Sequence, residues 1–261
     1  GQLVAPLEFH AMVEFVNRLF TGVVSIAVIA AVLGAYRRDP YRRDLTLWSW
    51  GLVAGVLAQI VWGGFTVLSD LHPTVVAGHF LISMVLMWNA VVLSHRASRP
   101  DESVGDAPIR DRSTRIASVT ATWGAVALLT GPAITGTGPH AGDEQARRFA
   151  WNLTTVARVH SLAMWILLAL IVATAVVVAR ERGGGQPLAA VRAALIATVI
   201  QGGVGYLQYA TEVPPLLVAV HVAGATIVWC LVVLVALATR HPVAGARVGA
   251  VATSRPEGVA A

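Results

Sequence analysis

Three histidines lie inside apolar stretches of this chain at matched distances from where a helix would begin. His79 is six residues past Pro73 and His221 is six past Pro215, so each sits about 9 Å along its helix at 1.5 Å per residue. His160 is seven residues into a further apolar stretch and reaches a similar depth. Two imidazoles at equal depth on neighbouring helices can approach one iron from opposite faces. That is the geometry of a six-coordinate b-type heme, and His160 with His221 forms such a pair. The structural alternative is helix-packing histidines hydrogen-bonded across a bundle. Against it stand the cost of ionisable residues inside a membrane and their usual functional role.

A second group lies at the start of the first apolar stretch. His10, Glu14, Asn17 and Arg18 are spaced so that positions i, i+4 and i+7 share one helix face. Glu14 brings a carboxylate suited to proton chemistry; the alternative is an i,i+4 ion pair between Glu14 and Arg18 that closes the helix end. Arg158, two residues before His160, is placed to meet heme propionates or to snorkel to lipid headgroups. Gln59 and Gln201 suit hydrogen bonds between helices or contact with a porphyrin edge, and Gly63, Gly64, Gly202, Gly203 and Gly205 suit close approach of a helix or a flat macrocycle; in both cases the structural role is favoured.

The elements that must carry these residues follow from composition. Of 261 residues 56% are apolar and 13% charged, with a mean hydropathy of +0.68. A soluble domain carries about a quarter charged residues, and recurring apolar runs of about twenty residues each suffice to span a bilayer. Water-soluble and disordered classes are thereby excluded. Spanning helices are expected at about 12–36, 45–68, 74–94, 115–135, 153–179, 188–210 and 215–239.

The net charge of +5 comes from 19 basic residues, all Arg, clustered between the apolar runs. That pattern sets topology and argues against nucleic acid as a partner. The turns rich in Arg (37–43, 96–115, 180–182 and after Arg240) are expected in the cytoplasm, and the Arg-free turns at 69–72 and 211–214 outside. The loop between the fourth and fifth segments must then also lie outside, although it contains Arg147 and Arg148. Trp48, Trp50 and Trp123 are expected near helix ends, where indole favours the interface. The single cysteine, Cys230, excludes an internal disulfide, a CxxC metal site and covalent heme attachment through CxxCH.

A repeat organises the chain. Gln59, Gly63, Pro73, Val76, Ala77 and His79 recur as Gln201, Gly205, Pro215, Val218, Ala219 and His221, always 142 positions later. The second and third segments thus map onto the sixth and seventh in the same orientation, a parallel repeat. With one residue of slip the first segment maps onto the fifth, Asn17 falls on His160 and Glu14 aligns with Ala157. The fourth segment has no counterpart, so the repeat predicts a first spanning helix that is missing from this sequence. The expected fold is all-α and polytopic, with two pseudo-symmetric four-helix bundles. The first is an incomplete N-terminal half at 1–95, followed by a cytoplasmic loop at 96–114. The C-terminal bundle covers 115–240, and a disordered cytoplasmic tail covers 241–261. A carboxylate found in only one half argues that one half holds a fixed cofactor and the other does proton chemistry.

Taken together, EFHAMVEFVNR (Glu8 to Arg18), QIVWGGFTVLSDLHP leading to His79, TGTGPHAGD (Thr135 to Asp143), His160 and QGGVGYLQY leading to His221 resemble the heme A synthase family over nearly the whole chain. The GPHAGD loop looks most like the actinobacterial branch. The resemblance implies eight spanning helices in two four-helix halves, in a bacterial cell-membrane enzyme that oxidises the C8 methyl of heme O to a formyl group, making heme A for cytochrome oxidase. It implies heme b as cofactor in the C-terminal half, ligated by His160 and His221, and heme O as substrate in the N-terminal half, faced by His79. Glu14 corresponds to the glutamate of the family's ExxHR motif, implicated in catalysis. Asn17 departs from that motif's ligand histidine; His10, a replacement candidate, lies seven residues away, about 10.5 Å along the helix. Heme O synthase, an electron donor and the lipid bilayer are the implied partners, with oligomerisation open. The residues alone also admit a di-heme electron-transfer cytochrome b, or a proton-coupled transporter built on parallel repeats.

Overall fold

The computed structural model describes the backbone of residues 9–103, 106–138 and 147–241 and, among these, all side chains but those of 9–14 and 103. Seven α-helices run α1 (Phe9–Arg37), α2 (Arg43–Leu68), α3 (Pro73–Ala97), α4 (Arg112–Thr137), α5 (Leu153–Arg182), α6 (Gln186–Ala210) and α7 (Pro215–Arg240). Each is long and apolar enough to cross a membrane, and the described residues contain no strand. The protein is an integral membrane protein. Local chemistry marks the helix boundaries. Pro73 and Pro215 open α3 and α7 at a position that needs no N–H donor. The Asp111 and Asn152 side chains accept from the N–H groups of Thr114 and Thr155, at 2.8 and 3.0 Å, capping α4 and α5. Gly183, at φ 67°, ends α5.

The helices extend a few residues beyond the apolar stretches, chiefly at the ends rich in arginine. Hydropathy falls there before the helix stops, because an arginine stem continues along the helix while its head reaches polar surroundings. Trp123 departs from expectation. It lies deep within α4, not near its end, and its Nε1 donates to the Ala163 carbonyl of α5 at 2.9 Å.

Helices α4, α5, α6 and α7 close a ring in which each packs on the next and α7 returns to α4. Its core is Ala117, Leu167, Ile171, Val178, Val191, Ala194, Val228, Val232 and Val235. The hydroxyls of Thr120 and Thr174 meet inside it at 2.8 Å. Small and hydroxyl-bearing residues bring helices together where lipid supplies no hydrophobic drive. Helix α3 packs on α2, α4 and α7, and among the described residues α1 packs on α2 alone. Large apolar side chains such as Ile26, Val67 and Leu216 point outward, as a lipid-facing surface requires.

All the arginine-rich ends lie together. Arg42, buried, bonds Asp44 at 2.9 Å and the Arg99 carbonyl at 3.3 Å, while Arg38 holds Asp101 at 2.6 Å. Arg182 of α5 pairs with Asp111 before α4 at 2.6 Å. Burial opposes ionisation of Asp111, but the Thr114 N–H and the Arg182 guanidinium outweigh it and hold the carboxyl below its usual range. His95, for which the sequence suggested no role, ties α3 to the end of α7: its Nε2 lies 3.0 Å from the His241 carbonyl.

At the opposite end the two turns have one geometry. Asp70 and Leu71 have φ of 51° and 54°, and Glu212 and Val213 have φ of 62° and 61°. The Leu71 N–H reaches the Thr66 carbonyl at 3.1 Å, and the Val213 N–H reaches the Gln208 carbonyl at 2.8 Å. Left-handed backbone at Leu and Val is uncommon, so its occurrence at both turns, 142 positions apart, is a specific correspondence.

Candidate functional site

The second turn of α7 carries His221, and the second turn of α5 carries His160. Their rings meet in an edge-on arrangement, with centres 6.4 Å apart and planes at 67°. Glycine makes room for one of them. A Cβ at Gly205 of α6 would stand 3.0 Å from Cε1 of His221, so the imidazole rests against bare backbone. On its other side Gln201, itself buried, donates from Nε2 to the His221 carbonyl at 2.7 Å. This bond fixes α7 against α6 at the level of the histidine.

The same construction occurs on α2 and α3. His79 sits with Cε1 3.4 Å from where a Cβ of Gly63 would be. Gln59 donates to the His79 carbonyl at 3.3 Å and also bonds the Ser83 hydroxyl. Both His79 and His221 keep a buried Nδ1 without a hydrogen-bond partner among the described residues. Among the described residues His79 has no ring partner, in contrast with His221. Gln59 and Gln201 thus join helices, the structural role the sequence favoured for them.

His160 is held by residues that sequence reasoning missed. Thr130 Oγ1 of α4 lies 2.7 Å from its Nδ1, and Gly131 faces its Cε1. Next to it on α5, Ser161 and Trp165 both bond the Tyr206 hydroxyl of α6 at 3.0 Å. The available signal was Thr-Gly-Pro at 130–132, an unusual tripeptide in a spanning helix; nothing in one sequence says that its hydroxyl meets an imidazole.

The remaining candidates are placed as follows. Arg158 is exposed one half-turn before His160, with no hydrogen bond or ion pair among the described residues. Asn17 and Arg18 are exposed on α1, where the Asn17 carbonyl accepts from the Thr21 hydroxyl at 2.9 Å. The side chains of His10 and Glu14 lie outside the described residues, as do loop residues 139–146 and the tail 242–261.

The donor set has a clear chemical sense. Among the described residues no three His, Cys, Asp or Glu side chains converge to hold a bare metal ion. Two facing imidazoles suffice when a macrocycle supplies the other ligands. Two imidazole nitrogens about 2 Å from one metal, each about 1.1 Å from its ring centre, put the centres about 6.2 Å apart. The observed 6.4 Å between the ring centres is close to that length.

A family model described as cytochrome oxidase assembly protein matches residues 4–233, from before α1 to within α7. No curated protein matches the chain.

Proposed function

The chain belongs to the cytochrome oxidase assembly protein family, and from that premise we propose that it is a heme A synthase that oxidises the C8 methyl of heme O to a formyl group through hydroxylated intermediates. The observation that carries this reading is the His160–His221 pair at 6.4 Å, close enough that both imidazoles could reach one iron. His160 and His221 would hold heme b, with Arg158 near its propionates. Heme b, when bound there, supplies an electron relay. In the N-terminal half His79 would face the iron of the substrate heme O, and His10, Asn17 and Arg18 of α1 are assigned to the same substrate side. Glu14 holds or moves the proton, or positions the oxygen donor beside the methyl group.

The chain's own residues do the positioning. Gln201 and Gln59 lock α7 and α3 in register, so that both histidines keep their depth. Gly205 leaves the space in which the His221 ring sits, and Gly63 lies against the His79 ring at the corresponding position. The family's role in cytochrome oxidase assembly and the apolar helices both support a lipophilic heme substrate. In this reading the arginine-rich ends lie in the cytoplasm, and the histidines toward the other face of the bacterial cell membrane.

The test is pigment analysis of the protein co-expressed with a source of heme O. Extracted heme A, or heme O beside heme B, is expected. Heme B alone at both sites would mark an electron-transfer cytochrome instead, and a colourless protein would exclude the heme reading. A narrower result is expected from Gly205→Val, whose side chain would occupy the space of the His221 ring. Heme retention should weaken about tenfold, equivalent to about 1.4 kcal/mol of misfit, as read from the Soret-to-protein absorbance ratio. Gly203→Ala, where a Cβ meets nothing within 4 Å, should leave that ratio unchanged.

A further inference from the structure

We propose that Thr130 is a positioning residue that sets the tautomer and ring plane of His160, an inference that rests on the heme reading above. Its hydroxyl lies 2.6 Å from the Ala127 carbonyl and 2.7 Å from Nδ1 of His160. A carbonyl oxygen only accepts, and a hydroxyl has one proton to give. The proton therefore lies on the line to Ala127, and the lone pair of Thr130 Oγ1 faces the imidazole. Both contacts are satisfied only if Nδ1 of His160 carries a hydrogen and donates it. Nε2 then keeps the lone pair and is the nitrogen able to bind a metal. An acceptor placed behind a ligating imidazole in this way fixes the ring's orientation and raises its basicity.

The local sequence serves this contact. Gly131 lies beside Cε1 of His160, 3.9 Å from where its Cβ would stand, so the segment that carries the hydroxyl lies against the ring. Pro132, inside α4, lacks an N–H and leaves the Leu128 carbonyl without its helical donor. The opposite imidazole is treated differently, because Nδ1 of His221 is buried without a partner among the described residues. His160 is thus anchored through its Nδ1, and among the described residues His221 has no such anchor.

The experiment compares purified heme-loaded Thr130→Val and Thr130→Ser with the unsubstituted protein by redox titration and by EPR of the ferric low-spin signal. Val keeps the shape and removes the acceptor. Without it His160 is a weaker donor to ferric iron, so the midpoint potential should rise, and the g-anisotropy, which reports the angle between the imidazole planes, should change or broaden. Ser restores the hydroxyl and should return both to the original values. Should the Val protein fail to insert, Thr130→Cys carries the same comparison, since a thiol is a weak acceptor of similar size. Potential and EPR unaltered in a heme-bearing Val or Cys protein would overturn the proposal while leaving the heme reading intact. A heme-free unsubstituted protein would overturn both.

Discussion

His221→Ala abolishes the low-spin heme band while the protein still inserts into the membrane: this is the largest effect expected of any substitution in the chain. The ring of His221 is one of only two donors at the site, 6.4 Å from that of His160, and no third His, Cys, Asp or Glu joins them among the described residues. An iron deprived of one axial imidazole becomes five-coordinate and high-spin or loses its heme, and both outcomes remove the low-spin spectrum. His160→Ala should behave alike. His95→Ala is the control, because that imidazole is bound to the His241 carbonyl at the arginine-rich end and should leave the band in place. A low-spin spectrum that survives in either His160→Ala or His221→Ala would refute the assignment of the site.

Glu14→Gln should separate the cofactor from the chemistry. Glu14 lies in the second turn of α1, and α1 packs on α2, the helix whose Gly63 makes room for His79. Its counterpart by the repeat is Ala157, in the half that carries the histidine pair. The substituted protein should keep its heme b spectrum and accumulate heme O, with heme A formation reduced at least about 100-fold, the lower range for a positioned acid or base. The amide keeps the shape and loses the proton, so a merely structural role would leave the yield nearly unchanged. Heme A at the normal level in extracted pigment would remove Glu14 from the mechanism.

Much of this arrangement was legible in the sequence because spanning helices obey few rules. Length and apolarity locate all seven helices, and the matched intervals from Pro73 to His79 and from Pro215 to His221 fix the depth of two imidazoles before any packing is known. Depth does not give azimuth. That His160 faces His221, while His79 has no ring partner among the described residues, depends on how neighbouring helices turn about their axes. Polar side chains inside the bundle were the least legible. Residue type alone assigns Trp123 to an interface, yet its N–H is spent on the Ala163 carbonyl. Thr130 and Tyr206 carry hydroxyls whose partners lie on other helices, at sequence distances no local pattern encodes. His95 and His241, each ordinary at a helix end, acquire a role only because those ends meet.

The turns after α2 and α6 differ in every side chain, Ser-Asp-Leu-His at 69–72 against Thr-Glu-Val-Pro at 211–214, yet the main chain bends in the same way in both. What is copied there is a hairpin's shape, and the height at which each imidazole hangs is written into that shape. The walls around the two rings can therefore differ, as the proposed division between a departing substrate and a resident cofactor requires, without either ring changing its level.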